Sequence, residues 1–147
     1  MYTKEATALW RGGLMFEAKS NSGFPVVMDG DAKAGVSTME MLVMGLAGCT
    51  GADVIDILRK KRQIVTAFEV HVTGQRADEH PRKYTAIEVT YIVTGHDIDP
   101  EAVRRAIELS ETKYCSVSAT PREAASITSH YEICEAEPTA SPTGYAV

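Results

Sequence analysis

Cysteine is scarce in this chain, and long apolar runs and an excess of basic charge are missing. Only three of the 147 residues are cysteines, in no close pairs. A structural disulfide framework is therefore not expected, and a reducing, cytoplasmic location is favoured. The longest uncharged apolar run, 41–52, is too short to span a bilayer, and no secretory leader is visible. The net charge of −5 argues against nucleic acid or an anionic membrane as partner.

The composition is that of an ordinary globular protein, with 44% hydrophobic and 24% charged residues. A chain of this length most often forms one domain, which we place at 1–134, and the Pro-, Ser- and Thr-containing segment 135–147 is predicted to be a disordered tail. No metal site is expected, because the histidines have no ligand spacing to one another or to cysteine. These histidines are His71, His80, His96 and His130.

The order of the predicted elements indicates an α+β domain, because strands and helices do not alternate regularly. Short runs with strand-like alternation or bounding turn residues predict six strands, at 6–10, 14–18, 24–28, 68–73, 87–94 and 126–133. Asp99-Pro100 begins a second helix, since proline is favourable at the first helical position. Its inner stripe is predicted to be Val103, Ala106, Ile107, Ser110 and Tyr114.

A long apolar helix is the organising element of the sequence. Ser37 or Thr38 caps its start, and the basic cluster 59–62 complements the negative end of its dipole. From Met41 to Cys49 the helix carries no charge on any face, so we expect protein to surround it. A small open sheet covers only one face of a helix. Burial from both sides therefore predicts a homodimer.

Three glycines recur at every third position in this helix, at Gly45, Gly48 and Gly51. Each glycine costs a helix about 1 kcal/mol relative to alanine. A sequence that accepts this cost three times indicates that another backbone approaches closely. That backbone belongs either to a neighbouring helix or to a partner subunit's copy of this one.

Two cysteines lie in unusual local sequence, Cys49 among the helix glycines and Cys115 at the end of the second helix. A thiolate that attacks a peroxide becomes a sulfenic acid, which a second thiol converts to a disulfide and water. Unpaired cysteine is also among the most buried residue types, so simple packing is the alternative for each thiol taken singly. Cys134, at the end of the last strand, is assigned to structure or chance.

Redox chemistry at Cys49 requires activation, because apolar surroundings raise the pKa of a thiol and make it inert. A cation from elsewhere in the fold is needed, and Glu40 is a candidate to orient it and to manage a proton. The apolar lining suits an organic hydroperoxide better than hydrogen peroxide. The lining residues are Met41, Met44 and Leu46.

The chain resembles the OsmC/Ohr family of osmotically induced and organic-hydroperoxide-resistance proteins over about residues 3–133. Three segments carry the resemblance. They are 40–62, with Gly48-Cys49-Thr50 at its centre; 109–117, with Lys113-Tyr114-Cys115; and the early Gly12-Gly13 hairpin that ends in Ser22-Gly23.

The resemblance implies an intertwined homodimer whose antiparallel sheets wrap around central helices, with active sites at the subunit interface. It also implies thiol-dependent reduction of hydroperoxides. Cys49 would match the peroxide-attacking cysteine and Cys115 the resolving one. No cofactor is implied, and the reductant would be an external dithiol.

Two positions depart from the hydroperoxide-resistance branch. Leu14 stands where that branch has its arginine, and Met39 where it has its glutamate, with Glu40 turned about 100° around the helix. Arg11, three residues before Leu14, projects to the opposite face of a strand. It is the substitute cation that we name first, with Arg76 and Lys113 as others.

Two further readings stay open, and the missing arginine favours the first of them. The runner-up to a peroxidase is a non-enzymatic dimer of the same fold that binds a small molecule or senses thiol redox state. The third is a purely structural dimer with inert thiols.

Overall fold

The computed structural model describes residues 3–119 and 126–138. Its elements confirm the α+β class. In chain order they are β1 (Ala6–Trp10), β2 (Met15–Ser20), β3 (Pro25–Asp29), α1 (Thr38–Lys60), β4 (Ile64–Arg76), β5 (Tyr84–His96), α2 (Pro100–Leu109), a π-helical turn (Ser110–Tyr114), α3 (Ser116–Ala119) and β6 (Ser126–Glu135). The chain divides into two compact units, Met1–Leu42 and Val43–Val147. That the chain forms a single domain stays a prediction.

The first unit contains an antiparallel sheet in the order β1-β2-β3. The β1–β2 hairpin turns at Gly12 and Gly13, whose φ angles of 103° and 54° favour glycine because it lacks a Cβ. Several large apolar side chains of this unit are exposed: Leu9, Trp10, Leu14, Phe16, Phe24, Val26 and Val27. The predicted hairpin is therefore present, and its sheet carries apolar surface.

The second unit contains a mixed sheet in the order β4-β5-β6. The β4–β5 pair is antiparallel, as predicted, whereas β6 runs parallel to β5, with Tyr91 opposite Tyr131. Antiparallel pairing was expected in every sheet, so the prediction is wrong for the β5–β6 pair. The reason is the connection, because α2, the π-helical turn and α3 lie between β5 and β6, and a crossover of this kind permits a parallel return.

Helix α1 begins with a reciprocal cap. The carboxylate of Glu40 accepts the Ser37 N–H at 2.7 Å, and the Ser37 hydroxyl oxygen accepts the Glu40 N–H at 3.3 Å. Four residues at four-residue spacing then form the buried stripe of the helix. They are Leu46, Thr50, Val54 and Leu58. The predicted start of the helix is thus confirmed.

Part of α1 is exposed in the single chain, where Leu42 is 57% exposed and Met44 53% exposed. The expectation that protein surrounds this helix, from its own chain and from a partner subunit, stays a prediction. Helix α1 is also long and apolar enough to cross a membrane, by length and composition alone. A helix with one buried stripe in its own core meets the same criterion, so this observation is weak evidence for a span.

The glycines of α1 do not meet another helix of the same chain. Among the described residues, nothing lies within 4 Å of where a Cβ on Gly45 or Gly48 would stand, and Gly51 faces the Val70 side chain at 3.2 Å. The expectation that a neighbouring helix of this chain packs closely against these three glycines is therefore wrong. The alternative, a partner subunit's copy, stays a prediction.

Helix α2 starts where predicted, with the Asp99 side chain accepting the Glu101 N–H at 3.0 Å. Its predicted inner stripe is buried as far as Ser110, but Tyr114 is 50% exposed. The π-helical turn is the reason, since the Cys115 N–H reaches back five residues to the Ser110 carbonyl at 2.8 Å. A wider turn comes round after five residues instead of four, so Cys115 takes the inward place predicted for Tyr114.

The C-terminal boundary lies beyond residue 134. Strand β6 continues through Glu135, and Ala136 is buried with its N–H bonded to the Gly95 carbonyl at 2.6 Å. The predicted disordered tail is therefore wrong for residues 135 and 136. The part of that tail from 139 to 147 lies outside the described residues.

Candidate active site

Two thiols and a carboxylate converge inside the second unit. Helix α1 carries Cys49 and Asp53 one turn apart on one face, and the π-helical turn delivers Cys115. The two Sγ atoms and a carboxylate oxygen of Asp53 all lie within 4.8 Å of one another. The fold therefore brings together the two sulfurs that the sequence singled out. Their chemical roles stay predictions.

The two thiols differ in exposure. Cys115 is 3% exposed and belongs to the hydrophobic core, whereas Cys49 is half-buried and packs against that core. Burial raises the pKa of the Cys49 thiol above its ordinary value of 9.0, and the hydrogen bond to Cys115 and the charges of Cys115 and Asp53 raise it further. The backbone of Val117 opposes these effects through a hydrogen bond. Cys49 is therefore a protonated thiol at neutral pH.

A serine fixes the carboxylate beside the sulfurs. The Ser110 hydroxyl, which is fully buried, donates to Asp53 Oδ2 at 2.9 Å. A hydrogen bond to a charged group is worth about 1.5–3 kcal/mol, which is enough to hold one orientation. Neither residue had been assigned to the site from sequence. The four-residue spacing of Cys49 and Asp53 on a helix was the available signal.

A buried phenol lies close to the same cluster. The Tyr91 hydroxyl is buried without a hydrogen-bond partner among the described residues, and the nearby Thr50 hydroxyl donates to the Leu46 carbonyl at 3.0 Å. Burial raises the pKa of Tyr91 to about 12; the nearby Thr50 side chain lowers it, and the charge of Glu111 raises it. Tyr91 therefore stays a neutral phenol at all physiological pH values.

The predicted activating groups, Glu40 and Arg11, lie in the first unit. Glu40 caps α1, and Arg11 pairs with Glu17 at 3.5 Å. Their catalytic assignments stay predictions. The other named cations also have partners, since Arg76 donates to the Arg82 carbonyl at 2.7 Å and Lys113 lies 5.4 Å from the Tyr114 ring centre.

The predicted substrate groove is only partly accessible. Met44 is exposed and Met41 half-buried, but Leu46 is 2% exposed and belongs to the hydrophobic core. Leu46 is therefore corrected from a groove residue to a core residue, because it begins the inward stripe of α1. Cys134 is half-buried, with its Sγ 3.9 Å from a carboxylate oxygen of Glu132.

Comparison with known proteins identifies the family. The sequence profile of the OsmC-like proteins matches residues 30–130. Protein YhfA of Escherichia coli (strain K12) is 43% identical over 133 residues, which cover 90% of this chain and 99% of that protein. The chain therefore belongs to the OsmC-like protein family, and the resemblance found in the sequence is confirmed.

Solved structures share the fold over nearly the whole chain. A hypothetical protein from Aquifex aeolicus VF5 superposes with a TM-score of 0.85 at 30% identity, covering 93% of this chain and all of that one (100%). The organic hydroperoxide resistance protein OhrB of Bacillus subtilis superposes with a TM-score of 0.58 at 22% identity, covering 89% of this chain and 98% of that one. At that identity the second likeness concerns the fold alone.

Proposed function

We propose that this protein is a thiol-dependent peroxidase that reduces organic hydroperoxides through Cys49 and Cys115. The observation that carries the proposal is the convergence of both sulfurs and the Asp53 carboxylate within 4.8 Å. Membership of the OsmC-like family supports a redox or hydroperoxide-stress role at the level of the family. The name of the fold neighbour OhrB points to the same substrate class.

The chemistry requires two steps. The Cys49 thiolate attacks the terminal oxygen of the hydroperoxide, the O–O bond breaks, and Cys49 becomes a sulfenic acid. The departing alkoxide takes up the proton that the Cys49 thiol had released and leaves as the alcohol. Cys115 then attacks that sulfur, an S–S bond forms, and the S–O bond breaks to release water. Asp53, within reach of both sulfurs, accepts the Cys115 proton and returns it to the leaving hydroxide. An external dithiol reduces the disulfide and regenerates both thiols.

Activation of Cys49 limits the rate in this proposal. Burial and the nearby negative groups raise the pKa of Cys49, so little thiolate is present at neutral pH. Leu14 stands where the hydroperoxide-resistance branch has its arginine, and Arg11 is the substitute that we propose, oriented by Glu40. Turnover is accordingly expected to increase toward alkaline pH.

The functional unit is proposed to be a cytoplasmic homodimer. The exposed apolar side chains of the first sheet and of α1, including Leu42 and Met44, support a partner subunit, because soluble monomers rarely expose many large apolar side chains together. The open surfaces at Gly45 and Gly48 leave room for a second backbone. A hydrophobic hydroperoxide is the proposed substrate.

Peroxide treatment followed by peptide mapping tests the proposal. One equivalent of cumene hydroperoxide is added to the reduced protein, which is then digested without reductant. A Cys49–Cys115 linked peptide, with catalytic consumption of peroxide once dithiol is added, is the expected result. Cys49→Ser should abolish consumption and Cys115→Ser should leave a sulfenic acid that dimedone traps, while Cys134→Ser is the matched control. Unchanged turnover in Cys49→Ser would refute the assigned roles.

A non-enzymatic redox sensor is the second candidate. The missing arginine favours it, because without that cation Cys49 turns over slowly, while its convergence with Cys115 still allows a disulfide to form. A linked peptide without turnover would support the sensor. An unchanged thiol count would support a purely structural dimer.

A further inference from the structure

We propose that the reduced site also binds one thiophilic divalent cation, Zn²⁺, through Cys49, Cys115 and Asp53. The ligands would be the two Sγ atoms and one carboxylate oxygen, with the fourth tetrahedral position open to water. This activity is separate from peroxide reduction. It uses the thiols while they are reduced and consumes no substrate.

The spacing of the three donor atoms suits such an ion. Zinc binds thiolate sulfur at about 2.3 Å and carboxylate oxygen at about 2.0–2.2 Å, so neighbouring ligands in a tetrahedron are about 3.5–3.8 Å apart. The three donor atoms of Cys49, Cys115 and Asp53 already lie within 4.8 Å of one another. Side-chain movements on the order of 1 Å would close the site around the ion.

The surrounding structure orients the ligands. Ser110 donates to Asp53 Oδ2 at 2.9 Å, which is the kind of outer hydrogen bond that positions a metal-binding carboxylate. Cys49 and Asp53 are fixed by one turn of α1, and Cys115 is held where the π-helical turn ends. Cys115 is buried, whereas half-buried Cys49 leaves one side of the site open for the ion to enter.

The charge of the site favours a cation. Two thiolates and a carboxylate would place three negative charges within 4.8 Å of one another, and a divalent cation compensates that charge. Binding of the ion would release the two thiol protons, because zinc takes cysteine as thiolate. Thiolate donors select zinc over magnesium or calcium, which prefer oxygen ligands.

Oxidation would release the ion. When an oxidant such as diamide takes two electrons from the two thiolates, an S–S bond forms and the diazene becomes a hydrazine after taking up two protons. The zinc ion keeps its oxidation state and loses two of its three protein ligands. Cys49 and Cys115 therefore hold either a metal or a disulfide, never both.

Metal titration of the reduced protein under anaerobic conditions tests this inference. Zn²⁺ is added in competition with a chromophoric chelator, and Co²⁺ serves as a spectroscopic substitute that reports tetrahedral geometry and thiolate ligation. One ion per chain is expected, with intense visible cobalt bands and a near-ultraviolet thiolate band. Diamide should release the ion stoichiometrically.

Variants assign the ligands. Cys49→Ser, Cys115→Ser and Asp53→Asn should each raise the Kd for Zn²⁺ by at least about tenfold. Asp56→Asn is the matched control, because Asp56 lies on the same helix but is exposed and pairs with Lys60 at 2.6 Å. It should bind zinc as the parent protein does, and circular dichroism should show that every variant is folded.

Three results would overturn the inference. One is binding that survives in the Cys49→Ser, Cys115→Ser double variant, and another is an unchanged Kd in Asp53→Asn. The third is the absence of stoichiometric binding by the reduced parent protein. Because no peroxide is present, none of these results bears on the proposed peroxidase, and loss of peroxidase activity would not bear on the metal site.

Discussion

Formation of the Cys49–Cys115 disulfide should stabilise the protein strongly. The bond would close a loop of roughly 65 residues, and the loss of chain entropy in the unfolded state corresponds to about 4 kcal/mol of added stability. For a chain of this size each kcal/mol raises the Tm by about 2–4 °C, so oxidation should raise it by about 10 °C. The sulfurs start within 4.8 Å of each other, so a bond of about 2.05 Å needs only local movement.

The assay compares thermal unfolding of the two redox forms. Protein oxidised with diamide and protein kept in dithiol are heated while circular dichroism at 222 nm is recorded. Cys115→Ser, which lacks the partner thiol, should show no rise in Tm after the same treatment. Cys134→Ser should behave as the parent protein does, since its thiol is not part of the site.

Two outcomes would refute this reasoning. If mapping finds no Cys49–Cys115 peptide after oxidation, the two sulfurs are not neighbours in solution. If the linked peptide is present but the Tm does not rise, strain in the folded state cancels the entropic gain.

Three further predictions address the thiol, the carboxylate and the dimer. Because burial raises the pKa of Cys49 above 9.0, alkylation of its thiol by iodoacetamide should be slow at pH 7 and accelerate above pH 9, and a pH-independent alkylation rate would contradict this expectation. The fold favours the protonated thiol, so the contribution of Cys49 to stability is present below pH 9 and lost as pH rises through the folded pKa. Ser110→Ala should lower the free energy of unfolding by about 1.5–3 kcal/mol in urea titrations, because its hydrogen bond to the half-buried Asp53 carboxylate is lost. A smaller loss would mean that water replaces the hydroxyl. Leu42→Asp should convert the proposed dimer to monomer in sedimentation velocity, because a charge would enter the exposed apolar face of α1, and an unchanged mass would place the interface elsewhere.

Local patterns were sufficient for most of the secondary structure. The Ser37–Glu40 cap and the Asp99-Pro100 helix start were predicted correctly, because a cap depends on residues within one turn of each other. The alternation along β5 was also correct, since buried Val89, Tyr91 and Val93 alternate with less buried neighbours. Residue spacing over one turn of a helix or a few residues of a strand is therefore sufficient to predict this local structure.

Features that depend on distant packing were not predicted. Tyr114 was expected on the buried stripe of the second helix. The hydrogen bond from the Cys115 N–H to the Ser110 carbonyl widens the turn, so Cys115 is buried there and Tyr114 is exposed. No spacing rule marks where an α-helix becomes a π-helical turn, because the choice depends on what the core accepts. The parallel pairing of β6 depends in the same way on the crossover through α2.

The residue order alone was enough to single out an apolar helix that carries Cys49 and a second segment that carries Cys115, because composition and periodicity are properties of neighbouring residues. Only the tertiary structure brought those segments together and added Asp53, held by Ser110, to the two thiols. The physical reason is that core packing of α1 against β5 and α2 sets the distance between the sulfurs. That distance cannot be predicted from the positions of the two cysteines in the sequence.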